Sequence, residues 1–136
     1  MIKPVCRDVF LLAQPSAPVT SADLPVAVDL ADTLRANADH CVGMAANMIG
    51  QLKRIIAVSV GPMVLLMLNP EIVKKSGPYE AEEGCLSLAG VRKTTRYETI
   101  EVVYQDMQLK KQRATYTGFT AQIIQHEVDH LNGVLI

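Results

Sequence analysis

The chain has no tryptophan, two phenylalanines and four tyrosines, so aromatics make up only 4% of its 136 residues. A core built from this composition is aliphatic, with six methionines as adaptable filler. Cysteine is scarce as well. Three of them, an odd number without paired spacing, argue against a disulfide framework and for a reducing cytoplasm in which thiols stay available as thiolates. Excess charge of either sign is missing: the net charge is −1, which removes the electrostatic case for nucleic acid or an anionic membrane as partner. The longest apolar stretch, Met63 to Leu68, is far too short to span a bilayer. The first twenty residues contain no basic start followed by a long apolar run, so no secretory signal is expected. What is present, 49% hydrophobic and 20% charged residues, is ordinary for a globular protein. One domain spanning residues 1–136 is expected, long enough to bury roughly two-thirds of its unfolded surface.

Ala13 to Pro25 is rich in Pro, Ser and Ala and reads as an irregular lead-in. A helix is predicted from about Leu24 to Asn37, because Leu24, Ala27, Leu30, Ala31 and Leu34 follow the helical period. Ser21 or Asp23 could cap it, and Pro25 fits because it falls in the first turn. Cys41 to Gly50 reads as a loop or a close-packed strand. Arg54 to Val60 and Met63 to Asn69 are predicted strands joined across Gly61-Pro62. Ile72 to Lys75 is a short strand ended by a Gly77-Pro78 turn. Thr99 to Gln105 pairs with Leu109 to Thr117 across Asp106-Met107. A second helix runs from Phe119 to Leu131, with Thr117 at its start and Asn132-Gly133 as a left-handed stop. Helix, several strands, then helix is an α+β pattern, not alternating βαβ units.

The final predicted helix carries Gln-His-Glu-Val-Asp-His, Gln125 to His130. Four residues of helix is about 400° of rotation, so His126 and His130 leave one face, close enough to share a metal ion. Glu127 lies near that face, as the general base of an H-E-x-x-H metallohydrolase must. Ile123, Ile124, Val128 and Leu131 surround the pair, so the helix should be buried, and buried His and Glu need partners that a metal would provide. Leu131 to Ile136 contain no usual ligand, which puts a third ligand upstream. The candidates are His40, Cys6, Cys41, Cys85 and the carboxylates. Cys85 stands out, flanked by Glu82, Glu83, Gly84 and Ser87, because Gly84 permits an unusual backbone approach and a thiolate is a strong ligand. Cys6 and Cys41 read better as small buried hydrophobes.

Gly-Met-Ala-Ala at Gly43 to Ala46, Glu-Gly-Cys-Leu-Ser at Glu83 to Ser87 and the Gln125–His130 segment resemble, in order and spacing, the three motifs of peptide deformylases. The resemblance implies antiparallel sheets packed around a C-terminal helix bearing H-E-x-x-H. It also implies that Cys85, His126 and His130 bind one catalytic divalent cation with water as the fourth ligand. Fe²⁺ is then expected in the cell, with Zn²⁺, Ni²⁺ or Co²⁺ possible in samples. It further implies Glu127 as general base and then acid, and the Leu86 backbone N–H facing the developing oxyanion. Val42 and Gly43 would offer backbone hydrogen bonds to an extended N-formyl-Met peptide or nascent chain, with Phe119 and Ile123 shaping a pocket for the Met side chain. Glu83, Gln125, Asp129 and Arg96 are expected to support the metal site.

Three positions depart from the family pattern. Met48 stands where the family has Gln, whose amide donates to the formyl oxygen; losing one such donor typically costs about 3–4 kcal/mol, or 10²–10³ in rate. Asn47 has an amide, but one residue of displacement in a strand-like segment turns it the other way. Cys41 replaces the first Gly, and Ala89 replaces a Pro. Weakened deformylation is therefore expected. The alternatives are a non-catalytic peptide-binding module on a retained metal site and a hydrolase for another N-acyl group. With Ile136 as its last residue, the chain is expected to lack the longer C-terminal helix of some family members.

Overall fold

A computed structural model of the chain describes residues 1–85 and 88–135. The first regular element is a single helical turn, α1 (Val9–Leu12), which sequence periodicity is too short to reveal; the Asp8 carboxylate caps it by accepting from Phe10 N–H at 3.0 Å. The long predicted helix forms as α2 (Leu24–Ala36), with Pro25 in the first turn and Ala27, Leu30, Ala31 and Leu34 buried. Asp23 takes the N-cap position, but its carboxylate does not cap α2. It accepts from Thr20 N–H at 3.0 Å and closes a preceding 3₁₀ turn, Ser21–Asp23.

Five strands follow: β1 (Gly43–Ala45), β2 (Ile55–Val60), β3 (Met63–Cys85), β4 (Leu88–Gln105) and β5 (Lys111–Thr117). They pair antiparallel in the order β1-β2-β3-β4-β5. β2 and β3 meet across the two-residue Gly61-Pro62 turn, with Val60 opposite Met63. Ile55, Ile56, Ala57 and Val58 of β2 are all buried, because α2 and the final helix both contact this strand.

The predicted turn at Gly77-Pro78 does not form. β3 runs through it, with Ser76 opposite Thr99 and Pro78 opposite Tyr97, and Gly77 absorbs the bend at φ 72°. Beyond Leu68, β3 has lost β2 as a neighbour and pairs only with β4. One edge therefore needs no ladder donors, and proline is tolerated there. The result is a long two-stranded ribbon whose tip, Cys85 opposite Leu88, folds back towards the last helix.

That helix, α3 (Gly118–Leu131), has Thr117 at its N-cap position, although the hydroxyl makes no capping bond. Ile123, Ile124, Val128 and Leu131 are buried, and so are Gln125, His126, Glu127 and His130. Asn132 ends the helix and Gly133 follows at φ 75°, as the Asn-Gly pair predicts. Among the described residues no helix is long and apolar enough to cross a membrane.

Candidate metal and active site

α3 brings the His126 and His130 Nε2 atoms to 3.1 Å from each other. The end of β3 carries the Cys85 Sγ to 3.3 Å from His130 Nε2. The three donor atoms lie within 4.8 Å of one another. His40, Cys6 and Cys41 fall outside this group; Cys41 lines the adjacent cleft but turns its thiol to the Gly43 carbonyl at 3.1 Å. Two imidazole nitrogens facing each other beside a thiol is a donor set for a borderline cation such as Zn²⁺ or Fe²⁺. The residues fit a metal ion.

The surroundings of the two rings differ. His126 Nδ1 bonds to Glu83 Oε1 at 2.8 Å, an arrangement that fixes the tautomer and leaves Nε2 free as a ligand. Glu83 in turn accepts two bonds from Arg96, at 2.8 and 2.7 Å, and one from Gln122 Nε2 at 3.0 Å. Arg96 also reaches Asp129 at 2.6 Å. Burial works against the Glu83 charge, but the bonds from His126, Arg96 and Gln122 outweigh it and hold the carboxyl down at about 2. Burial also opposes charge on His126, yet its contacts with Cys85 and Glu83 push it up to about 10. His130 goes the other way, lowered to about 3 by burial and by its neighbour His126, and its Nδ1 has no hydrogen-bond partner among the described residues.

Gln125 stands apart from this chain of charges. Its side chain exchanges two 2.8 Å bonds with the Tyr97 backbone, stapling α3 to β4. Gln122 was not anticipated from the sequence, although it sits four residues before His126 on the same helix face.

Glu127 is buried, and its Oε1 has no hydrogen-bond partner among the described residues. Burial pushes its carboxyl up to about 7, with His126 opposing. It faces a cleft of about 240 Å³ lined by Val42, Gly43, Met48, Phe119, Ile123 and Cys85. Phe119 stands exposed at the mouth and Ile123 is buried. β1 forms one wall. The Val42 carbonyl accepts from Ser59 N–H at 2.8 Å, so the alternation of an antiparallel ladder turns the polar groups of Gly43 away from β2. Gly43 itself is required by space: a Cβ there would meet Ile123 Cγ2 at 2.6 Å and Glu127 Oε2 at 2.9 Å.

The segment after β1 is a 3₁₀ turn, Ala46–Ile49, and not the strand-like stretch expected. Asn47 does point away from the cleft, but the turn is the cause: its Nδ2 donates to the His130 carbonyl at 2.9 Å. Met48 lines the cleft, with its Sδ accepting from Ala45 N–H at 3.3 Å. Leu86 lies outside the described residues.

An α+β fold with two helical His, a thiol and a buried carboxylate over an adjoining cleft defines a metal-dependent amidohydrolase. The model of the polypeptide deformylase family matches residues 5–136. The chain is 57% identical to a peptide deformylase of Clostridium beijerinckii over the full length of both. It is 39% identical over 124 residues to one from Thermoanaerobacter pseudethanolicus, covering 90% of this chain and 77% of that one. A Met-Ala-Ser-bound class I type b peptide deformylase from Acinetobacter baumannii superposes with a TM-score of 0.89 at 33% identity, over 99% of this chain and 97% of the other. The enzyme from Thermotoga maritima gives 0.89 at 29% identity, over 99% and 95%. The chain belongs to the peptide deformylase family, hydrolases that remove the N-formyl group from new polypeptides.

Proposed function

We propose that residues 1–136 act as one metallohydrolase domain in which Cys85, His126 and His130 hold the catalytic cation. Glu127 is the proton carrier in this reading. The observation that carries it is the Glu127 carboxyl: buried, with Oε1 unpartnered among the described residues, beside three converging donor atoms and over the cleft. When bound, the divalent cation supplies the acidification of water, from about 15.7 towards about 7. Fe²⁺ is the ion proposed for the cell, on the family resemblance and the mixed sulfur and nitrogen donors; Zn²⁺ suits aerobic samples because it is redox-inert. The cytoplasm, where new chains are made, is the proposed location.

Glu127 takes the proton of the attacking water as its oxygen bonds to the formyl carbon. The same carboxyl then delivers that proton to the departing nitrogen as the C–N bond breaks, leaving formate and a free amino terminus. The N-formyl-Met peptide lies extended along β1, whose Gly43 groups face outward; the Val42 carbonyl, expected to bond the peptide, is taken by Ser59 N–H, and Val42 lines the cleft instead. Its Met side chain packs against Phe119 and Ile123. The Leu86 N–H is proposed as the oxyanion donor on the family resemblance alone.

Met48 makes this a slow member of the family. Its thioether has no proton to donate, and the neighbouring Asn47 amide is engaged with the His130 carbonyl. The expected deficit is about 10²–10³ in rate. Formate release from formyl-Met-Ala-Ser by Fe²⁺-loaded protein tests the reading. Turnover above about a thousandth of an ordinary deformylase supports it, and none at that sensitivity sinks it.

A further inference from the structure

We infer that Asn47 is the positioning residue for His130, tying the turn that follows β1 to the backbone of one proposed metal ligand. The inference rests on the metal-site reading above. The two imidazoles are aimed by different means. His126 is oriented through its ring, by Glu83 at Nδ1. His130 is fully buried, and among the described residues its Nδ1 has no hydrogen-bond partner, so no side chain holds its ring from behind as Glu83 holds that of His126, and more of its aim falls to its own backbone.

That backbone sits in the last turn of α3, where carbonyls run out of intrahelical donors. The His130 carbonyl accepts from Gly133 N–H at 3.0 Å and from Asn47 Nδ2 at 2.9 Å. The first bond is local. The second crosses 83 residues of chain and fastens the ligand to the opposite wall of the cleft. Asn47 is itself fully buried, so its amide has no water to turn to in place of this carbonyl. The next carbonyl, of Leu131, is held from elsewhere, by Ser16 N–H at 2.7 Å and by Arg54 Nη1 at 3.4 Å. Arg54 thus anchors the same helix end without touching a ligand residue, which makes it the natural comparator.

The experiment measures Co²⁺ affinity by chelator competition, the visible spectrum of the Co²⁺ protein and the melting temperature. The variants are Asn47→Ala, Asn47→Leu (similar volume, no donor) and Arg54→Ala. Both Asn47 variants should raise the Co²⁺ dissociation constant by about 10- to 100-fold and shift its ligand-field bands. Arg54→Ala should lower the melting temperature and leave the dissociation constant unchanged. If Asn47→Ala fails to fold, the leucine variant decides, since it keeps the core filled. Wild-type affinity in a folded Asn47 variant overturns the inference, and so does an equal loss in Arg54→Ala. A wild-type protein without a thiolate-to-cobalt charge-transfer band overturns the metal-site reading itself, and this inference with it.

Discussion

The two walls of the cleft are built on opposite principles. The wall made by α3 and the β3–β4 ribbon is dense in charge: Glu83, Arg96 and Asp129 form one connected, largely buried set, with His126 at its end. Such a set is costly to assemble and costlier to break, because any single deletion strands a buried charge. The wall made by β1 and the 3₁₀ turn has no charged side chain facing the cleft among Cys41, Val42, Gly43 and Met48. It offers backbone groups, a thioether and a thiol that burial pushes up to about 11, against the smaller lowering effect of its bond to Gly43. One wall is over-determined; the other leaves room for change at Met48, whose thioether bonds only within its own turn, but not at Gly43, pressed against α3, or at Asn47, bonded to it. The loss of a family Gln at Met48 therefore need not disturb the ligands facing it.

The largest test of that contrast lies on the charged wall. Glu127→Gln should lower kcat by about 10²–10⁴ while metal content stays at the wild-type level. Loss of metal together with turnover would show that carboxyl and ligands are one unit. Next in size is Arg96→Met. It removes both bonds to Glu83 and the one to Asp129, and should cost about 3–5 kcal/mol of unfolding free energy in denaturant titration. A cost near zero would mean that the network is decoration on a site held by packing.

On the other wall the change is expected to help. Met48→Gln should raise kcat at least about tenfold, towards the 10²–10³ that one oxyanion donor is worth. The geometry allows it: a Gln Oε1 can accept the Ala45 N–H that Met48 Sδ now accepts, leaving Nε2 free to donate. An unchanged formate-release rate would mean that another group already polarises the formyl oxygen.

How much of this could be read in the sequence follows the same division. α2 and α3 are legible because burial repeats at the helical period, and the grouping of Cys85 with His126 and His130 is legible because motif neighbours point to it. The run through Gly77-Pro78 is not, since Gly-Pro marks a turn unless one edge of the strand is free, and that depends on where β2 stops. Arg96 could be nominated, but its bidentate grip on Glu83 depends on the β3–β4 register, in which Glu83 faces Arg92 and not Arg96. Asn47 turns away from the cleft as expected, but for a different local reason: a 3₁₀ turn sends successive side chains about a third of a turn apart, where a strand sends them to opposite faces. Its partner, 83 residues away, leaves no periodic trace.

The smallest expected effect sits where the two walls touch. Gly43 packs directly against α3, and an added methyl would lie 2.6 Å from Ile123 Cγ2 and 2.9 Å from Glu127 Oε2. Gly43→Ala must therefore push β1 away from the helix or turn both side chains, an overpacking cost of about 1–3 kcal/mol. Both contacts involve groups on the charged wall that the reaction needs, so KM for the formyl peptide and kcat should worsen together. The metal dissociation constant should hold, because neither contact reaches Cys85, His126 or His130. A variant that loses metal in proportion to activity would show that β1 presses on the ligands through α3, and the two walls would then have to be treated as one.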